Sequence, residues 1–159
     1  MQSRPLFLLL SFVFAAGSTY AQGPAKTTIV RTPAECTWVQ VGLKWQVSPA
    51  LLYAIAKTES SLNPDIVHRN NDGTEDIGLM QINSSWLPKL ASFGISRRHL
   101  FDSCVNLDVA GWILSTQMGK LGNTWEAVGS YNAVTPWKRM KYASQVYANL
   151  PKAVLDTHR

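Results

Sequence analysis

Read for its alternation of apolar and polar positions, the chain is a series of short helices with one interruption. Cys36, Val39 and Leu43 recur at helical spacing behind Thr32-Pro33-Ala34-Glu35, which reads as a capping box with proline at the first helical position. A second helix starts at Ser48-Pro49. Along it Leu52, Ile55 and Glu59 fall on one stripe at offsets of three and four, which puts a carboxyl on the inward face. Asn63-Pro64 ends this helix, because the residue before a proline avoids the helical region. Asn71-Asp72-Gly73 is a hairpin signal, so residues 66–79 are expected to form a small β-hairpin with Asp76 on the returning arm. A short helix from Trp86 to Phe93 closes at Gly94, and a long amphipathic one carries Leu107, Ala110, Leu114, Met118 and Leu121 up to Gly122. Two further helices are expected from Trp125 to Tyr131 and from Pro136 to Leu150, the last capped by Thr135. The pattern predicts a mainly α chain with a small β-hairpin, of the α+β class.

The start of the chain follows another rule. Arg4 precedes an apolar stretch from Leu6 to Ala16 and a small-residue site ending Thr19-Tyr20-Ala21, which reads as a secretory signal over residues 1–21. Export past the inner membrane places the rest in the periplasm. Cleavage after Ala21 leaves 138 residues, enough for one domain with a real core but not for two. Residues 22–31 read as a loose lead-in, 32–151 as the domain and 152–159 as a frayed tail. No stretch reaches the roughly 20 apolar residues that a membrane span needs, and a monomer is expected.

Composition adds two constraints. Both cysteines, Cys36 and Cys104, lie beyond the signal, and in an oxidising compartment an even pair is expected to bond. The formal charge of +5 falls to +4 once Arg4 leaves, a mild bias that suits an anionic polymer such as a cell wall as well as a merely solvated surface. No basic block interleaved with aromatics points to nucleic acid. His68, His99 and His158 show no metal-binding spacing, so neither a metal nor another cofactor is expected.

The candidate chemistry rests on two carboxyls. Asp76 follows Glu59 by 17 positions. Cleaving a glycosidic bond needs one carboxylic acid still protonated near neutral pH, and often a second carboxylate to balance the charge that develops on the sugar. Glu59, beside Leu52 and Ile55, is desolvated, which disfavours its charged form and suits the acid's role.

Three segments, Glu59-Ser60-Ser61-Leu62-Asn63-Pro64, Gly78-Leu79-Met80-Gln81-Ile82 and Ser130-Tyr131-Asn132-Ala133, resemble in order and spacing the signature segments of the soluble lytic transglycosylase domain. The resemblance spans about Cys36 to Tyr147 and is greatest to the small cell-wall enzymes that accompany secretion, conjugation and pilus systems. It implies a lysozyme-like fold and cleavage of the β-1,4 bond between N-acetylmuramic acid and N-acetylglucosamine of peptidoglycan. Glu59 would be the single acid and base, and the product a 1,6-anhydromuramic end. Ser60, Met80, Gln81, Tyr131 and Asn132 would bind substrate, with Tyr131 hydrogen-bonding near Glu59.

Several residues keep two readings. Met80 and Ile82 suit core filling as well as sugar contact, and Asn132 suits fixing the backbone as well as touching substrate. Val134 stands where the family commonly has glycine, so the turn there cannot use a glycine conformation. Asp76-Ile77-Gly78-Leu79-Met80-Gln81-Ile82-Asn83-Ser84 also resembles the active-site strand of animal C-type lysozymes, in which the aspartate is the second catalytic carboxylate. Asp76 is therefore either that partner or a hairpin acid bonding nearby amides. The rival functions are a hydrolase using Glu59 and Asp76, and a non-catalytic wall-binding assembly factor. Trp86, Trp112, Trp125 and Trp137 are available to line a glycan cleft or to fill the core.

Overall fold

A computed structural model describes residues 36–152. The signal segment, the lead-in, the helix start placed at Thr32–Glu35 and all but the first residue of the tail lie outside these residues. The described elements are α1 (Trp38–Trp45), α2 (Pro49–Ser60), β1 (Val67–Arg69), β2 (Glu75–Ile77), β3 (Ile82–Asn83), α3 (Leu87–Ala91), α4 (Ser103–Leu121), α5 (Trp125–Gly129) and α6 (Pro136–Ala148). Single 3-10 turns occupy Ser84–Trp86 and Arg97–Phe101. The mainly helical chain with one small sheet is the architecture that the hydrophobic pattern predicts.

The first helix departs from its expected form. Its N-cap is Thr37, whose hydroxyl accepts from the Gln40 N–H while the Gln40 side chain accepts in return from the Thr37 N–H. Cys36 therefore precedes the helix, and Val39 and Leu43 are 55% and 75% exposed. The inward stripe is instead Trp38, Val41, Gly42 and Trp45. Two indole rings one heptad apart offer more apolar area than a valine and a leucine, so burial favours the face that carries them.

Helix α2 is the middle of the core. Leu52, Ala54, Ile55 and Ala56 are fully buried, and the helix packs against α1, α4 and α6. The small alanines let the neighbouring helices approach closely, while Leu52 and Ile55 each contribute about 1.5–3 kcal/mol of burial. Ser61 and Leu62 are both left-handed, and the Leu62 N–H reaches back to the Ala56 carbonyl, a six-residue wrap that stops the helix short of Asn63. The long helix α4 starts at Asp102, whose carboxylate accepts from the N–H groups of Cys104 and Val105. Its buried stripe of Leu107, Ala110 and Leu114 is the one the sequence predicts.

The sheet is antiparallel in the order β1-β2-β3. Val67 faces Ile77, His68 faces Asp76 and Arg69 faces Glu75; on the other edge Asp76 faces Asn83. The third strand is only two residues long, too short for alternation to announce it. Cys36 is disulfide-bonded to Cys104 with the Cα atoms 5.4 Å apart, which ties the chain ahead of α1 to the first turn of α4.

Candidate active site

Glu59 lies in the last turn of α2 and opens into a cleft of about 370 Å³ lined by Asn70, Asp76, Gln81, Ile82, Asn83, Trp86, Ile113, Tyr131 and Asn132. Its carboxyl is pushed up to about 7, chiefly by burial. The charge of Asp76 pushes the same way, while hydrogen bonding from Tyr142 and Asn132 pulls it down. The negative end of the α2 dipole adds to the upward push, since it disfavours an anion in the last turn. The Tyr142 hydroxyl, from the buried face of α6, donates to Glu59 Oε1 at 2.5 Å. Burial and the neighbouring Glu59 charge hold the Tyr142 phenol well above its ordinary range, so it remains a donor.

Asp76 is held differently. Its Oδ2 accepts from the Asn70 carboxamide at 2.9 Å and its Oδ1 from the Asn83 carboxamide at 2.8 Å, so each oxygen has its own donor from a neighbouring strand or turn. Both carboxamides also donate to the Thr74 hydroxyl, which locks them in place. The arrangement gives one carboxyl in a dry setting and another in a polar setting, facing one cleft. The dry setting is what keeps the Glu59 proton on near neutral pH.

The segment joining β2 to β3 puts Gln81 on the cleft wall, and three side chains grip this wall segment. Buried Asn106 of α4 donates to the carbonyls of Ile77 and Leu100 and accepts from the Met80 N–H. The Ser60 hydroxyl reaches the Leu79 carbonyl at 2.7 Å. The Tyr131 hydroxyl donates to the Met80 carbonyl at 2.9 Å. Gly78 sits at φ +77, and a Cβ there would meet the Leu100 carbonyl oxygen at 2.5 Å, so only glycine fits this approach.

Three residues that the resemblance assigns to substrate lie in or against the wall segment. Ser60 is buried and bonds backbone, not the cleft, because α2 turns its last residue toward the wall segment. Met80 is fully buried and fills the core beneath the wall. Tyr131 lines the cleft, but its hydroxyl serves Met80; the hydrogen bond to Glu59 comes from Tyr142. Gln81 faces the cleft with its amide nitrogen donating to the carbonyls of Gly78 and Ile66, leaving its carboxamide oxygen as an acceptor. Val134 is 86% exposed and is not among the residues with positive φ, so the loop closes without a glycine conformation. Of Trp86, Trp112, Trp125 and Trp137, Trp86 lines the cleft.

Tyr142, Asn70 and Asn83 join the site without belonging to any of the roles that the sequence assigns. A signal for Tyr142 exists: it shares the buried stripe of α6 with Val146, and a phenol on an apolar stripe needs a polar partner inside. Among the described residues no group of three metal-ligating side chains occurs and no helix is long and apolar enough to cross a membrane.

The family model described as "Transglycosylase SLT domain" matches residues 37–152. The chain belongs to this family. Within the match lie all three signature segments and every residue that lines the cleft. The SLT-domain chain is 42% identical to the invasion protein IagB of Salmonella typhimurium (strain SL1344), over 75% of this chain and 77% of that protein. It is 35% identical to protein IpgF of Shigella flexneri, over 91% of this chain and 88% of that one. Among solved structures, the X-ray structure of an inactive mutant of the lytic transglycosylase Slt from Pseudomonas aeruginosa is similar with a TM-score of 0.58 and 21% identity. The likeness covers 74% of this chain and 23% of that one, and it speaks for the fold.

Proposed function

We propose that this protein is a periplasmic lytic transglycosylase that cuts the β-1,4 bond after N-acetylmuramic acid in peptidoglycan. The observation that carries the reading is a buried glutamic acid with a pKa of about 7 in the cleft of an SLT-domain chain. The Glu59 carboxyl gives its proton to the bridging oxygen, and the C1–O4 bond breaks with its electron pair leaving on that oxygen. C1 of the muramyl ring becomes electron-poor, and the Asp76 carboxylate across the cleft balances that charge. Glu59, now anionic, takes the proton of the muramyl 6-hydroxyl, whose oxygen closes on C1. The products are a free 4-hydroxyl and a 1,6-anhydro end; no water is consumed and the acid is restored. Tyr142 holds the Glu59 carboxyl through both proton transfers.

A hydrolase is the second reading, favoured by Asp76 lying close enough for its charge to act on Glu59. The work of such an enzyme would be to open gaps in the wall locally for a secretion or pilus apparatus. Its resemblance to the small enzymes that serve such systems supports this, as does the name of the invasion protein to which it is similar. Mass spectrometry of fragments released from purified peptidoglycan tests the chemistry. Anhydro ends are expected; reducing ends, heavier by one water, would make it a hydrolase, and binding without soluble fragments would make it a wall-binding factor. Glu59→Gln keeps the shape and removes the proton, so the variant is expected to fold and release nothing.

A further inference from the structure

A row of rings runs out of the cleft that the proposed reaction does not use. Trp86, on the cleft wall, meets Trp112 edge-on with ring centroids 5.4 Å apart. Trp112 in turn lies 6.5 Å from Phe93 at an interplanar angle of 56°. Phe93 ends the row at the surface, 67% exposed. The Lys89 ammonium sits 4.8 Å from the Trp112 ring centroid, a cation–π contact on the same ring that Phe93 meets. Among the described residues Lys89 has no carboxylate partner.

An exposed ring joined through Trp112 to a ring of the cleft wall marks a contact surface more than a lone surface apolar residue does. Pyranose rings offer a flat C–H face that packs on an aromatic face, and the stem peptides carried by muramyl residues bear free carboxylates. Resting on the reading of the cleft as a glycan site, we propose that Phe93 and Lys89 form an outer subsite for a muramyl residue carrying its stem peptide. Phe93 stacks on the sugar, and Lys89 pairs with a stem carboxylate. The enzyme then prefers long, peptide-bearing strands over short or stripped ones.

The test uses the Glu59→Gln protein, which cannot turn over its ligand, and glycan strands of defined length with stems intact or removed by an amidase. Adding Phe93→Ala is expected to weaken binding of long strands by about tenfold, the size of one aromatic contact, and to leave a tetrasaccharide unaffected. Adding Lys89→Met is expected to erase the preference for stem-bearing strands while binding to stripped strands holds. Effects that are absent, or equal at every length, overturn the outer subsite alone. Failure of the Glu59→Gln parent to bind any strand overturns both the subsite and the glycan reading beneath it.

Discussion

Glu59 works as an acid only while it holds its proton, which fixes the sign of the pH dependence. With its pKa near 7, raised from an ordinary 4.5, activity is expected to hold through mildly acidic pH and fall as pH rises through about 7. Two neighbours set that limb in opposite directions. Tyr142→Phe removes a donor that favours the charged form, so the limb should move to higher pH while turnover falls about tenfold through lost positioning. Asp76→Asn removes a repelling charge, so the limb should move to lower pH, with a sharp loss of turnover. A pH–rate series on both variants checks the pair; shifts in the same direction would contradict the assignment. Glu59 is legible in the sequence because its helix stripe and its motif agree. Tyr142 cannot be paired with it there, because 83 residues separate the two and only the docking of α6 on α2 joins them.

Elements are legible where burial and period coincide. Helices α2 and α4 follow their apolar stripes, and the hairpin follows Asn71-Asp72-Gly73. Helix α1 escapes its spacing because two tryptophans outweigh the stripe that periodicity alone suggests, and β3 escapes because two residues show no period. The polar clamp between α4 and the wall segment is equally hidden, since a single asparagine in an apolar stripe does not name its partners. Asn106 satisfies three backbone groups that would otherwise be buried without hydrogen bonds. Asn106→Ala is therefore expected to destabilise the fold by about 2–4 kcal/mol. Urea unfolding would show it as a lower midpoint at unchanged slope.

At the scale of the whole molecule, the disulfide ties together residues 68 positions apart. In the chain-entropy account, closing such a loop stabilises the fold by about 4 kcal/mol. Replacing both cysteines by serine should lower the melting temperature markedly, and the wild-type protein under reducing conditions should match it. The pairing is legible in the sequence, from two cysteines and the secretory signal that its first residues predict. The cleft as a volume is not legible in the same way, because its walls come from α2, the sheet, α4 and the loop after α5, and no local pattern says how these meet.

The grip on the wall segment also sets where this sequence can change length. Ser60, Asn106 and Tyr131 hold successive backbone groups between Ile77 and Met80, so one added residue there would put all three out of step at once. The turn at Asn71–Gly73 is exposed, and a Cβ on Gly73 would meet nothing within 4 Å. A short peptide tag inserted at that turn should yield soluble protein, whereas the same tag between Gly78 and Gln81 should leave none. The hairpin tip is thus free ground for drift in length, while the neighbouring four residues are held to a fixed count.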